Sequence, residues 1–271
     1  MVSDGKNIWV ANQFSNNVTK LRAKDGFKLG TFEVGRRPVA LAYDGSSIWV
    51  ANLFSDEVMR LRTGDGAVIG IFSAGNQPGA LLYDGANIWV ASRSSNKVTK
   101  LSASDGAKLG SYSVGDKPMA MAFDGVHIWV ANNGSDNVTK MNASNGEQIG
   151  TYPAGDSPTG IAFDGFSIWV SNFYRNTLTK LQTLTGSIVG TYTVGDSPMG
   201  VTFADGHIWV ANSGSRSISK VETVFGTVAQ TFSVDRGPAT VILDGRYIWV
   251  ANGGSNSVTK LRQSSDPSAA P

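Results

Sequence analysis

Cysteine is absent from this 271-residue chain, histidine occurs only twice, and charged residues make up just 16% of it. The first absence excludes disulfides, thiolate nucleophiles and thiolate-bound zinc, so redox chemistry does not set the compartment. No segment approaches the roughly 20 apolar residues of a spanning helix, and the opening MVSDGKNIWVAN lacks a charged region followed by an apolar run. The chain therefore reads as soluble, with no membrane insertion; a leader removed upstream stays compatible with a start that falls almost directly inside a repeat. A net charge of +2 with evenly spread basic residues offers no phosphate-neutralising stripe, so nucleic acid is not an expected partner. Disorder is excluded too, because 41% hydrophobic residues suffice to bury a large core.

What is abundant is repetition. The stretch IWVANQFSNNVTKL at 8–21 returns as IWVANNGSDNVTKM at 128–141 and as IWVANGGSNSVTKL at 248–261. Trp9, Trp49, Trp89, Trp129, Trp169, Trp209 and Trp249 are all the tryptophans, each 40 residues from the next. Around each stand four short runs of period-two character bounded by turn residues, which is the strand signal and not the helical one. Between Gly79 and Gly115 they read GALLYDG, NIWVASRS, KVTKLSASDG and AKLGSYSVG, here named positions A, B, C and D. Units too small to fold alone form one domain as an array. The reading is a single domain over 1–262 with a C-terminal tail over 263–271.

The turns have physical reasons. Asp44-Gly45, Asp84-Gly85, Asp124-Gly125 and Asp164-Gly165 join A to B, where glycine accepts positive φ and aspartate bonds the local backbone. Asp25-Gly26, Asp65-Gly66 and Asp105-Gly106 do the same between C and D. Pro38, Pro78, Pro118, Pro158, Pro198 and Pro238 open strand A, where a missing N–H costs little.

Strand B is apolar on both faces, with Ile8 and Val10 on one side and Trp9 and Ala11 on the other. It must be covered twice, as a sheet packed between two like sheets is. Four-stranded units of 40 residues stacked radially make an all-β propeller of antiparallel blades. Each buried tryptophan then contributes at most about 4–6 kcal/mol before entropy. Seven equivalent tryptophans favour seven blades, with six as the alternative. In the seven-bladed ring the first blade keeps only Met1 to Ser3 of strand A, and the last lacks strand D, since QSSDPSAAP has no D pattern. Partial blades meeting at this seam predict unpaired backbone and possible self-association there.

The run VGDKPMAMAFDGVHIWVANNGSDNVTKMNASNGEQIGTYPAG, Val114 to Gly155, resembles the YVTN repeat of surface-layer and YncE-like propellers, with IWVAN at the place of the tetrapeptide. It is similar also to NHL and virginiamycin B lyase-like propellers in strand order and in Gly-x-x-Pro and Asp-Gly punctuation. The resemblance implies a repeat β-propeller over nearly all of 1–261 and an extracytoplasmic or cell-surface place. Its lyase branch implies a histidine and an acidic residue with a divalent metal on the ligand face. Neither His127 nor His207 is expected there, since both precede IWV at the A–B turn.

Other repeating polar residues read as structural. Asp116, Asp156 and Asp196 recur in the D–A loops as turn acceptors, with calcium binding the weaker reading. Lys20, Arg60, Lys100, Lys140, Lys180, Lys220 and Lys260 on strand C are expected to face outward and blunt strand pairing. The sequons at Asn17 and Asn137 fall at strand starts and are discounted. No phosphate loop, nucleophile elbow or histidine-rich metal motif occurs, so no catalytic residue, cofactor or metal is assigned.

The variable pair inside the repeat carries the lead to function. It reads Gln13-Phe14, Leu53-Phe54, Arg93-Ser94, Asn133-Gly134, Phe173-Tyr174, Ser213-Gly214 and Gly253-Gly254. These B–C loops should share one end of the propeller with the D–A loops, where side chains vary without disturbing blade packing. Phe14, Phe54, Arg36, Arg37, Arg93, Phe173, Tyr174 and Arg175 are therefore the candidate ligand-binding residues, suited to a planar or anionic small molecule or peptide at the channel mouth. The competing reading has Phe14, Phe54 and Tyr174 plug that mouth. The function expected is a non-catalytic binding or scaffold propeller; the alternatives are a lyase-like enzyme and an amplified or engineered repeat with no evolved ligand.

Overall fold

The computed structural model describes residues 1–262, which contain 27 strands and no helix. They form seven antiparallel sheets, six of four strands and the last of three. Strand β1 (Val2–Ser3) pairs with β2 (Asn7–Asn12), followed by β3 (Asn17–Arg22) and β4 (Lys28–Glu33). The second blade runs β5 (Pro38–Tyr43), β6 (Ser47–Asn52), β7 (Glu57–Arg62) and β8 (Val68–Ser73), and four further blades repeat it. The last holds β25 (Pro238–Asp244), β26 (Tyr247–Asn252) and β27 (Ser257–Arg262). The expected absence of a D strand after β27 and the tail fall outside the described residues.

The A strands neighbour one another around the centre, and β1 touches both β5 and β25, which closes the ring. Each strand A begins at its proline with a register shift, as between Pro38 and Ala40, so the prolyl ring sits at a bulge and interrupts no ladder. The expectation of a doubly covered strand B holds, since all six residues of β6 are buried. Each core cluster lies between two blades; Trp49, for instance, packs with Ile88 and Val90 of the next.

Two devices hold the tryptophans of the first six blades. On one side lies an aromatic ring from strand D: Phe32 on Trp9, Phe72 on Trp49, Tyr112 on Trp89, Tyr152 on Trp129, Tyr192 on Trp169 and Phe232 on Trp209, with centroids 5.2–5.9 Å apart. That ring also sits against the C–D glycine of the following blade, where a Cβ on Gly106 would come within 1.9 Å of Phe72. The second device is the A–B turn. Asp4, Asp44, Asp84, Asp124 and Asp164 accept the indole Nε1–H at 2.7–2.8 Å. Blades six and seven depart from it: Trp209 donates to the Ala204 carbonyl, and Trp249 Nε1 is buried without a partner because Asp244 stays in its strand and accepts from Ser3.

The strand C cations correct the sequence reading. Lys20, Lys100 and Lys140 are buried, and each ammonium lies 5.0–5.1 Å from the centroid of its own blade's tryptophan. Each then donates across the blade boundary, Lys20 Nζ to Thr63 O at 2.6 Å, Lys100 to Ala143 O and Lys140 to Thr183 O at 2.7 Å. A lysine stem is long enough to cover the indole and still place its charge on orphan turn carbonyls, so these residues latch blades together instead of facing solvent. Arg60 does the same through Ser104 O.

Candidate functional site

The B–C and D–A loops do share one end of the ring. The last B–C residue is left-handed in all seven blades, and in five of them it is Asn16, Asp56, Asn96, Asp136 or Asn176, with φ of 53–57°. Its side-chain oxygen accepts the N–H of Arg37, Gln77, Lys117, Ser157 or Ser197 of the next blade at 2.7–3.0 Å. Asparagine and aspartate suit both tasks, tolerating positive φ and accepting a local bond. The anchored residues are left-handed too, with φ of 50–57°, and each precedes the proline of strand A. One backbone frame thus repeats around the mouth while its side chains change from Arg, Gln and Lys on blades two to four to Ser on blades five and six.

Arg93 and Arg37 approach one another inside that frame. The Arg93 backbone is fixed by its N–H bond to Gln77 O at 2.9 Å, and its side chain lies over Gly79, where a Cβ would stand 2.3 Å from Arg93 Nε. The equivalent residues in the other complete A strands are Val39, Met119, Thr159, Met199 and Ala239, so the one unit carrying an arginine at the first position of this loop also carries the glycine that makes room for it. Arg37 stacks on Phe54 with its guanidinium carbon 4.7 Å from the ring centroid. The Nε of both arginines is buried with no hydrogen-bond partner. Burial, and after it the charge of Arg37, push the Arg93 guanidinium below its ordinary value. The Arg93 guanidinium is therefore desolvated beside a second cation, and neither arginine is in a salt bridge among the described residues.

Two clefts open beside this pair. One of about 330 Å³ is lined by Arg36, Leu53, Phe54, Asn76 and Gln77; the other, about 770 Å³, is lined by Arg93, Asp116, Lys117, Met119 and Asn133. Both are bounded by Gln77 and Ser94, so they adjoin across blade three. Asp116 is already engaged, accepting from Asn96 Nδ2 at 2.6 Å, and Asp56 is held by the Gln77 N–H.

The structure brings Arg36, Arg37, Phe54 and Arg93 together on blades two and three. Phe173 and Tyr174 lie edge to face on blade five, 5.2 Å between centroids, and Arg175 is paired there with Asp156. Phe14 is 87% exposed and Tyr174 76%, so neither is packed into the mouth as a plug. Sequence reasoning missed Gln77, Lys117 and Met119; the signal was the residue before each strand A proline for the first two and the residue after it for Met119. His127, 3.1 Å from Asp124, and His207, bonded to the Asp205 carbonyl, lie at the A–B turns on the opposite end.

Seven radially stacked antiparallel sheets around a central channel define a seven-bladed β-propeller, the fold that the YVTN-like resemblance implies. The chain is similar to a chain of hydrazine synthase from Kuenenia stuttgartiensis, at 19% identity and a TM-score of 0.85 over 97% of this chain and 94% of that one. It is similar also to streptogramin B lyase, at 19% identity and a TM-score of 0.80 over 95% of this chain and 90% of that one. At such identities the likeness is one of fold alone. No protein-family model and no curated protein sequence matches the chain.

Proposed function

We propose that the chain is a binding propeller whose ligand is a small anion, held at the B–C and D–A face of blades two to four. The observation that carries this reading is the Arg37–Arg93 pair, two neighbouring guanidiniums whose Nε groups are buried and unpartnered. A carboxylate or another planar oxyanion supplies both the missing acceptors and the missing charge, and arginine forks bind such groups in two-point fashion. Phe54, already stacked under Arg37, offers a ring face for a planar ligand, and Lys117 adds a third positive charge on the larger cleft. The lyase alternative draws on fold likeness only, and fold does not carry function.

A thermal-shift comparison of benzoate, glucuronate and inorganic phosphate against neutral benzyl alcohol tests the reading. A saturable rise in Tm with at least one anion and none with the alcohol is expected. A flat response to all three anions at low salt overturns it.

A further inference from the structure

The seam offers a second surface, independent of the channel mouth. Among the described residues no strand pairs on the outer side of β27, so its outward N–H and C=O groups form a sheet edge. Among the described residues the side chains differ at the same place. Val258 is partly exposed, whereas its six counterparts from Val18 to Ile218 are fully buried beneath a strand D ring. Across the seam Leu21 is also partly exposed, while Leu61, Leu101, Met141, Leu181 and Val221 at the same position are fully buried. Gly26 lacks such a ring among the described residues: of these a Cβ there meets Trp249, at 3.8 Å, where Gly66 and Gly106 meet a phenylalanine at 2.2 and 1.9 Å. Residues 263–271, QSSDPSAAP, contain no aromatic residue.

We propose that the outer edge of β27 is a docking groove for an extended peptide strand that carries an aromatic side chain two residues after a glycine. The edge continues the interface that strands C and D make in the six other blades. There the D strand pairs antiparallel, its aromatic opposite the apolar residue and, in five of the six, a glycine opposite the strand C cation, as Gly110 stands opposite Lys100 and Tyr112 opposite Val98. Lys260 and Val258 present the same two positions, and the latch from Lys260 to the Ala23 carbonyl fixes the far wall of the groove. Backbone ladder bonds would supply affinity and the ring selectivity, as in strand addition to an open sheet edge.

The test uses the full chain and a synthetic peptide with the sequence of residues 106–115, GAKLGSYSVG, beside the same peptide with serine for tyrosine. Binding should raise Tm saturably at one peptide per chain and slow amide exchange in β27; the serine peptide should bind at least about tenfold more weakly, the order expected for one buried aromatic ring. A Val258→Glu chain, altered at a side chain that is already partly exposed, should lose the response while keeping its own Tm within a few degrees. If the tyrosine peptide changes neither Tm nor β27 exchange, or both peptides act equally, the proposal fails. A dimer joined through β27 that the peptide does not dissociate also overturns it, assigning the edge to a second copy.

Discussion

Lys260 in the last blade donates from Nζ to the carbonyl oxygen of Ala23 in the first, at 2.7 Å, and so makes across the seam the contact that Lys100 makes to Ala143 within the array. The seam thus carries the repeated bond of the array, alongside the Ser3–Asp244 bond found only there. Lys260→Met retains the stem over Trp249 but leaves the turn carbonyls of Ala23 and Lys24 without their charged donor. The expected loss is about 1–3 kcal/mol by urea denaturation, the range for a hydrogen bond to a charged group. Lys28→Met, on an exposed part of strand D, should have no measurable effect.

The C–D glycines separate backbone strain from packing. Gly26 and Gly106 have nearly the same φ, 76° and 78°, so alanine pays a similar left-handed cost at each, about 1–2 kcal/mol. Only Gly106→Ala also drives a methyl into Phe72. It should therefore be less stable than Gly26→Ala by a further ~1–3 kcal/mol in equilibrium unfolding. Equal losses would show that the ring is free to move aside.

The aspartate–tryptophan clasps predict an acid limb. Burial is the largest single influence on the Asp84 carboxyl and pushes its pKa up, but hydrogen bonds from Trp89 Nε1, Ala86 and Asn87 together outweigh it, so the net shift is downward; Asp4, Asp44 and Asp124 behave alike. A carboxyl depressed on folding stabilises the protein above its unfolded pKa of about 3.9, and that stability is lost as pH falls through the folded value. Asp84→Asn should lower Tm at pH 7 and give a shallower loss of Tm below about pH 4 than the wild type.

The period, the seven sectors and the turn positions were legible because each rests on local chemistry that recurs seven times. The role of the strand C lysines was not: a cation alternating with apolar residues reads the same whether it faces water or bends over an indole. The stacked D rings had a visible signal, glycine-x-aromatic in five successive D strands from Gly30-Thr31-Phe32 to Gly190-Thr191-Tyr192, with Gln230-Thr231-Phe232 as a variant in the sixth. At the candidate site, Arg37 and Arg93 each stand out by charge, but they lie 56 residues apart and only the packing of blade two against blade three brings them to one side of the mouth. Gly79 was the overlooked clue, since it departs from its repeat position in the same unit as Arg93 does.

That clue can be reversed. Gly79→Val installs the residue that blade two carries at position 39, and Gly79 has no positive φ to strain. The nearest obstacle is the flexible Arg93 side chain, so Tm should change by no more than a few degrees. Anion-dependent stabilisation should fall, because the guanidinium is displaced from its cradle.

The exposed aromatics bear on the plug reading. Phe14→Ser and Tyr174→Ser adopt the residue that blade three has at position 94. Each should leave stability within about 0.5 kcal/mol of the wild type, as expected for surface positions. A loss of several kcal/mol would restore the plug.

The most direct measurement is a calorimetric titration of the wild type and of Arg93→Gln with whichever of benzoate, glucuronate or phosphate gives the largest thermal shift, at one fixed low ionic strength. One site per chain is expected in the wild type, with at least about a tenfold loss of affinity in Arg93→Gln, the scale of one charge-assisted two-point contact. Equal affinity in the two proteins, or no heat in the wild type, would contradict it.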